Sequence, residues 1–310
     1  MVSDQNRVLL IELTKRIFTI SPLTITQIFD KGITNDVFVV DLPESKIIVR
    51  ISPENNVDQF KKEEWEMGLA SQLHIPTPKV IDVGIINNVV YMVEEYVDGT
   101  HGTDYSNSTH VWTVLGQYAK TIHSMQVKGF GDHMASPGEF DSNRKDFREY
   151  VKYNIDRLNA GDKLLQMGIL TSRISEKIRT LFENLQKEKL EFGLNHGDLS
   201  LNNVIVDKNG KVYLLDWGSS ESHIIPHFDF MEVLQSSFNF DFKDRDFASF
   251  LEGYGLSLEQ FLIMKPTINT LLILTAIDKL RWSIETNQKK IDHFKKRLIR
   301  IFDYIGTLDS

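Results

Sequence analysis

The chain has 310 residues, of which 41% are hydrophobic and 25% charged, as expected of a globular protein with one large domain or two lobes. It contains no cysteine, which excludes disulfides, thiolate catalysis and cysteine-ligated metal sites. The formal net charge of −8 argues against a general nucleic-acid-binding protein, whereas it is compatible with a cationic ligand or simply with solubility.

The first residues lack the basic start and apolar core of a signal peptide. The longest strongly apolar run, residues 268–277, is too short to cross a membrane. We therefore expect a cytoplasmic protein that binds neither membranes nor nucleic acid and that is a monomer or weak dimer.

The first hundred residues favour a small sheet with two helices. Hydrophobic spacing predicts helices over residues 8–20 and 57–73. Alternating and β-branched stretches predict the strands, over residues 23–29, 37–42, 46–51, 80–86 and 89–93. The glycine-containing segment 98–103 is the best linker candidate, so we expect an N-terminal lobe over 1–98 and a C-terminal lobe over 99–310.

Helical patterns dominate the rest of the chain. The predicted helices cover residues 109–125, 146–158, 171–185, 267–282 and 291–305. The one clear β interruption is residues 203–216, where two short apolar strands flank the turn Asp207-Lys208-Asn209-Gly210. The pattern predicts an α+β protein with a small β-rich lobe followed by a larger, mainly helical lobe.

Three polar residues around this hairpin carry the chemistry. Asp198 lies in a segment without helical or strand periodicity, and the hairpin places Asn203 and Asp216 at one end of a two-stranded ladder. Phosphoryl transfer from a nucleotide needs a carboxylate that orients the acceptor hydroxyl and takes its proton, together with oxygen ligands for magnesium. Either acid alone could be an ordinary capping residue, but the three together favour a magnesium-dependent kinase.

The stretch His196-Gly197-Asp198-Leu199 with Asn203, followed by Leu215-Asp216-Trp217, resembles the signature of the aminoglycoside phosphotransferase and choline kinase-like family of small-molecule kinases. That resemblance implies a bilobal protein-kinase-like fold. Ile122-His123-Ser124-Met125 with Gly129-Phe130-Gly131 is similar to a stretch of antibiotic kinases, including hygromycin-type kinases. Weaker similarities occur in the same order as in the family, at residues 32–38, 48–51, 91–99 and 226–229.

The resemblance implies a role for each of nine residues. The catalytic residue is Asp198, and Asn203 and Asp216 are the magnesium ligands. The remaining six bind the nucleotide: Thr34, Asn35, Arg50, Glu63, Glu95 and Val97.

Within this group, Arg50 stands where many kinases have a lysine, and it would hold the α- and β-phosphates while paired with an acid on the following helix. Helix register leaves Glu64 as a rival to Glu63 for that pairing. Thr34 and Asn35 would cover the phosphates, and the backbone of Glu95 and Val97 would meet the adenine.

The implied reaction moves the γ-phosphate of ATP or GTP to a hydroxyl of a small molecule, with an aminoglycoside-type antibiotic as one candidate acceptor. Choline, homoserine or a sugar are alternatives, and a protein kinase or an inactive nucleotide-binding regulator is less favoured. A protein kinase usually has an arginine before the catalytic aspartate, where this chain has Gly197, and it needs a longer segment after Asp216. Asp278, Trp282 and Glu285 are candidates for the wall of an acceptor pocket.

Overall fold

The structure is a computed structural model that describes residues 2–28, 35–53, 56–237 and 244–306. The chain divides into two compact units. The first unit contains residues 1–111 and 200–220, and the second contains residues 112–199 and 221–310. The hairpin that follows Asp198 in sequence therefore belongs to the first unit. The expected division into lobes at residues 98–99 stays a prediction.

The described helices and strands are numbered in chain order. The helices are α1 (Asp4–Phe18), α2 (Val57–Gln72), α3 (Ser108–His123), α4 (Phe147–Arg157), α5 (Lys163–Gln166), α6 (Ser172–Leu185), α7 (His227–Ser237), α8 (Asp244–Tyr254), α9 (Leu258–Thr286) and α10 (Ile291–Ile305). The strands are β1 (Thr24–Ile28), β2 (Asp36–Asp41), β3 (Lys46–Ser52), β4 (Val80–Ile86), β5 (Val89–Glu95), β6 (Thr100–His101), β7 (Lys128–Gly129), β8 (His133–Ser136), β9 (Glu139–Asp141), β10 (Glu191–Asn195), β11 (Val204–Val206), β12 (Val212–Leu214) and β13 (Glu221–Ile225).

The first unit is organised by an antiparallel sheet with the strand order β1-β2-β3-β5-β4. Because side chains alternate across a strand, Tyr91 and Val93 join one hydrophobic cluster with α1, whereas Val90 and Met92 join another with Phe60 of α2. The sheet thus buries a helix-covered core on each face, and every second residue of its central strands points toward α2.

The segment 98–103, the predicted linker, has regular structure of its own. Strand β6 pairs with β11, and residues Gly102–Asp104 form a 3₁₀ turn. The two glycines serve close packing: a Cβ at Gly99 would lie 2.4 Å from the Val206 carbonyl oxygen, and one at Gly102 would lie 2.5 Å from that of Leu201. Glycine here permits backbones to approach, so its presence did not indicate flexibility.

The second unit contains more β structure than the sequence indicated. The hairpin at 203–216 was predicted to be the one β interruption after residue 99, but β10 pairs with β13, and β7, β8 and β9 form a further small sheet. These strands have two to five residues, which is too short to show a clear alternating pattern.

Helix α9 begins nine residues earlier than predicted and continues through Pro266. Ser257 and Gln260 form a capping box at its start, which fixes the first turn. Among the described helices, α9 is the one long and apolar enough to cross a membrane, and half of its most apolar window is buried inside the fold. Leu271, Leu274 and Ile277 are fully buried, as in a core helix.

Candidate active site

A cavity of about 330 Å³ opens in the first unit beside β3 and the end of β5. Six of the residues predicted to bind nucleotide or magnesium line it: Asn35, Arg50, Glu95, Val97, Asn203 and Asp216. Glu63 lies behind Arg50, and Thr34 lies outside the described residues.

Arg50 is directed into this cavity by strand alternation. Its neighbours Val49 and Ile51 are buried on the α1 side of the sheet, so the arginine points to the opposite side, where α2 lies. The guanidinium forms a two-point pair with Glu63, with Nη1–Oε2 at 2.5 Å and Nη2–Oε1 at 3.3 Å. Glu63 is 1% exposed, whereas Glu64 is on the exposed side of α2. The structure thus pairs Arg50 with Glu63, the preferred of the two predicted candidates.

Two further carboxylates approach the same guanidinium. Glu94 Oε1 is 3.4 Å from Nη1 of Arg50, and Asp216 Oδ1 is 3.7 Å from Nη2. Glu94 was not among the predicted site residues. Its position follows from the register of β3 and β5, in which Ile48 faces Glu94 and Arg50 faces Met92, so the arginine and Glu94 are diagonal neighbours on one face.

Burial and the mutual charges of Arg50 and its carboxylate neighbours set the electrostatics of this group. Burial raises the pKa of Glu63 and of Glu94, and the positive charge of Arg50 opposes the rise in both. Burial by itself would lower the pKa of Arg50, but Glu63, Glu94 and Asp216 outweigh it and raise that pKa further. One guanidinium facing three carboxylates leaves negative charge at the cavity wall, which suits a phosphate group only if a cation accompanies it.

Asn203 and Asp216 flank the open end of the β11–β12 hairpin, opposite its turn. Val204 pairs with Leu214, and the Leu215 N–H donates to the Asn203 carbonyl at 2.9 Å. Asn203 is 9% exposed, whereas the Asp216 side chain is 54% exposed. An amide oxygen and an accessible carboxylate on one cavity are the hard oxygen ligands that magnesium prefers, with phosphate and water completing an octahedron. The donor set therefore fits Mg²⁺.

Asp198 belongs to the second unit, where it follows β10 in a loop fixed by a buried acid. Asp229 accepts hydrogen bonds from the backbone N–H of His196 at 3.1 Å and of Gly197 at 2.8 Å. His123 donates from Nε2 to the same carboxylate at 3.0 Å. Gly197 has φ of 77°, a left-handed conformation that favours glycine. The loop is thereby fixed while the Asp198 side chain remains exposed.

The protonation state of this anchor is set by its partners. Burial would raise the pKa of Asp229, but the hydrogen bond and charge of His123 lower it below its usual value. Nδ1 of His123 lies 3.0 Å from the Tyr254 hydroxyl oxygen. Asp229 is therefore a fully buried, ionised acceptor. Its hydrogen bonds to the backbone N–H groups of His196 and Gly197 fix the conformation of the loop before Asp198.

A second cavity, of about 470 Å³, lies within the second unit. Its carboxylates are Asp132, Glu221, Glu232, Asp278 and Glu285, its cations are Arg144, Arg157 and Lys279, and its aromatic walls are Phe130, Tyr150, Tyr153, Phe228 and Trp282. The three residues predicted to line an acceptor pocket are all among them.

Several of these charged groups contact another wall residue. Arg157 forms an ion pair with Glu285, and the Tyr150 hydroxyl donates to Asp278 at 3.1 Å. The Arg144 guanidinium lies 3.8 Å from the centre of the Tyr153 ring.

Glu232 connects this cavity electrostatically with the loop that carries Asp198. Burial raises the pKa of Glu232, Lys279 and Arg297 oppose the rise, and the charges of Asp198 and Asp229 add to it. The negative charge of Asp198 therefore influences the pKa of Glu232 in the cavity wall.

Comparisons with known proteins agree with this architecture. The model described as "Phosphotransferase enzyme family" matches residues 25–264. A search of curated proteins found no match. Three similar solved structures are antibiotic kinases, and each is 13–16% identical to this chain.

The first is a thermostable mutant of aminoglycoside phosphotransferase APH(4)-Ia with AMP-PNP and hygromycin B (16% identity, TM-score 0.69, covering 94% of this chain and 97% of that one). The second is the GDP and kanamycin complex of APH(2")-IIia (13% identity, TM-score 0.68, covering 94% of this chain and 98% of that one). The third is spectinomycin phosphotransferase APH(9)-Ia with ADP and spectinomycin (16% identity, TM-score 0.62, covering 99% of this chain and 99% of that one). The expected α+β, protein-kinase-like fold with a β-rich N-terminal and a helical C-terminal region is confirmed.

Proposed function

The chain belongs to the phosphotransferase enzyme family, and on that basis we propose that it transfers the γ-phosphate of ATP or GTP to a hydroxyl group of a small molecule. The observation that carries the proposal is the cavity of the first unit, which collects Arg50, Asn203 and Asp216 beside Glu95 and Val97. A family match alone would not require these groups to open into one space.

Each group has a role in holding the nucleotide. Arg50, kept in place by its two-point pair with Glu63, binds the α- and β-phosphates. The backbone of Glu95 and Val97 meets the adenine. Asn35, which lines the cavity, covers the phosphates. We propose the same role for Thr34, as the family resemblance implies.

Asn203 and Asp216 are the residues that would hold magnesium beside the phosphates. When bound, Mg²⁺ would neutralise the negative charge of the phosphoryl oxygens during transfer. Asp198 orients the acceptor hydroxyl and takes its proton as the new bond between its oxygen and the γ-phosphorus forms. The bond from that phosphorus to the β–γ bridging oxygen breaks, and ADP or GDP leaves with that oxygen.

The cavity of the second unit supports an aminoglycoside-type acceptor. Its wall has five carboxylates and three cations. Arg157 and Glu285 pair with each other, and the remaining wall residues still have more carboxylates than cations. Carboxylates recognise ammonium groups, and aromatic faces attract cations and pack against ring carbons. Hygromycin B, kanamycin and spectinomycin are the compounds bound in the three similar structures. The charge of the wall and these neighbours lead us to propose antibiotic resistance as the biological role.

The remaining parts of the proposal rest on the sequence. We propose that the protein acts in the cytoplasm, as a monomer or weak dimer, on diffusible substrates, without nucleic-acid or membrane partners. Its acidic composition, with a formal net charge of −8, supports that view.

A coupled nucleotide-consumption screen tests the proposal. The purified protein is assayed with Mg²⁺ and either ATP or GTP against aminoglycosides, amino alcohols, amino acids, sugars and a protein substrate. We expect consumption that requires an aminoglycoside-type compound, and we expect Asp198→Asn to lower it by roughly a thousandfold while AMP-PNP affinity stays within about threefold. Consumption supported by a metabolite alone would correct the acceptor class, and consumption supported by a protein alone, or full activity of the variant, would refute the proposal.

A further inference from the structure

The magnesium-binding acid proposed above has a strained backbone. Asp216 has φ of 55° and ψ of 69°, in the left-handed region. This conformation costs a residue with a side chain on the order of 1 kcal/mol. Gly218, two residues further along the chain, could adopt it freely, yet the strain lies at the acid. Neighbouring contacts must therefore fix this conformation.

On the hairpin side, the backbone is fixed by the bond from Leu215 N–H to the Asn203 carbonyl. On the other side, residues Trp217–Ser219 form a 3₁₀ turn that is closed by Ser220. The N–H and the hydroxyl of Ser220 both donate to the Trp217 carbonyl, at 3.1 and 2.6 Å. The turn is a compact unit, but these bonds lie within the turn and do not attach it to the cavity.

Helix α2 makes that attachment. Gln59 Nε2 donates to the Gly218 carbonyl at 2.7 Å, and Lys62 Nζ donates to the Ser220 carbonyl at 2.7 Å and to that of Gly218 at 3.4 Å. Lys62 is 2% exposed. A buried ammonium group is costly unless it is hydrogen-bonded. The hydrogen bonds to these carbonyl oxygens therefore offset part of the cost of burying Lys62.

The same face of α2 carries Glu63. Positions three and four residues apart on a helix lie side by side, so Gln59 is next to both Lys62 and Glu63. One helix face therefore contacts Arg50 through Glu63 and the turn after Asp216 through Gln59 and Lys62. Any displacement of this face would change both groups together.

We propose that Gln59 and Lys62 are positioning residues for magnesium binding. By holding the turn at residues 217–220, they keep the Asp216 carboxylate directed toward Arg50 and the cavity. The inference rests on the proposed function, because it assigns a metal-binding role to Asp216. It adds that α2 sets the geometry of the phosphate-binding arginine and of the metal-binding acid through separate side chains.

The experiment measures AMP-PNP affinity by calorimetry with Mg²⁺ and with EDTA, and takes the ratio of the two affinities for each protein. We expect Gln59→Ala and Lys62→Met to reduce this ratio by about five- to tenfold, the loss of one or two hydrogen bonds that orient a ligand. The affinity in EDTA should stay within about twofold, because the Arg50–Glu63 pair is unchanged. Lys62→Arg should restore part of the ratio, since arginine also donates to carbonyl oxygens.

Lys61→Met is the matched control, because Lys61 is exposed on the adjacent position of α2 and its substitution should leave the ratio unchanged. If Lys62→Met fails to fold, the partly exposed Gln59→Ala decides the question. An unchanged ratio in a folded Gln59→Ala protein, or an equal loss of affinity in EDTA, overturns the positioning role. A wild-type ratio of one overturns the proposed function itself, and the positioning role with it.

Discussion

Replacing Glu63 with glutamine tests whether the buried pair with Arg50 prepares the site for nucleotide. Glutamine retains the size of the side chain and one acceptor oxygen but loses the charge. Removing one partner of a buried ion pair costs about 3–5 kcal/mol when the other charge is left alone. Here Arg50 still faces Glu94 at 3.4 Å and Asp216 at 3.7 Å. We therefore expect a smaller loss of unfolding free energy, about 1–3 kcal/mol.

The effect on nucleotide binding should exceed the effect of a neighbouring surface change. Without the charge of Glu63, the guanidinium is drawn toward Glu94 and Asp216 and loses the orientation that suits two phosphates. We expect the affinity for AMP-PNP with Mg²⁺ to fall by about 10- to 100-fold, or roughly 1.4–2.7 kcal/mol.

Urea unfolding gives the stability change, and calorimetric titration with AMP-PNP and Mg²⁺ gives the affinity. Glu64→Gln is the matched control, because Glu64 has the same chemistry one position along α2 but is exposed. Its affinity should stay within about twofold of wild type. Equal affinity losses in the two variants, or none in Glu63→Gln, would show that the pair does not prepare the phosphate site.

Three further predictions concern stability, each measured by urea unfolding. Burial lowers the pKa of His223 to about 3 although the charge of Asp229 opposes this. His223 is thus neutral in the folded protein, whereas the unfolded chain takes up a proton at this residue as the pH falls below about 6.5. The free energy of unfolding should therefore be highest above pH 6.5 and should fall by up to roughly 1.4 kcal/mol per pH unit below it. The loss between pH 7 and 5 should be smaller in His223→Gln; an unchanged slope would contradict this. Asp229→Asn should cost about 2–4 kcal/mol, because an amide has one acceptor oxygen for three donors, and wild-type stability would refute its role as an anchor. Gly99→Ala should cost about 1–3 kcal/mol through its clash with Val206, whereas Gly68→Ala on the open side of α2 should gain up to about 1 kcal/mol; similar effects would be contrary evidence.

The local elements of the fold were largely predictable. Helix α10 has the predicted bounds, and α1, α2 and the strands of the five-stranded sheet lie within a few residues of theirs. These elements have many residues with a regular hydrophobic period. The predicted helix began just after Pro266, whereas α9 begins at the capping box of Ser257, nine residues before that proline. The short strands of the second unit were missed because they derive their stability from pairing and burial, which sequence period does not record.

For the site, the sequence by itself determined which residues could carry the chemistry. A turn of fixed length between two short strands makes Asn203 and Asp216 neighbours, and alternation along β3 turns Arg50 away from the α1 core, so both placements follow from local geometry. Only the tertiary structure decided that Glu63 rather than Glu64 meets this arginine, that Glu94 joins it, and that Lys62 is buried against the turn after Asp216. The physical reason is that the rotation of α2 about its axis and the register of β5 are set by packing, in which Phe60 fits against Val90 and Met92, residues far from it in the chain.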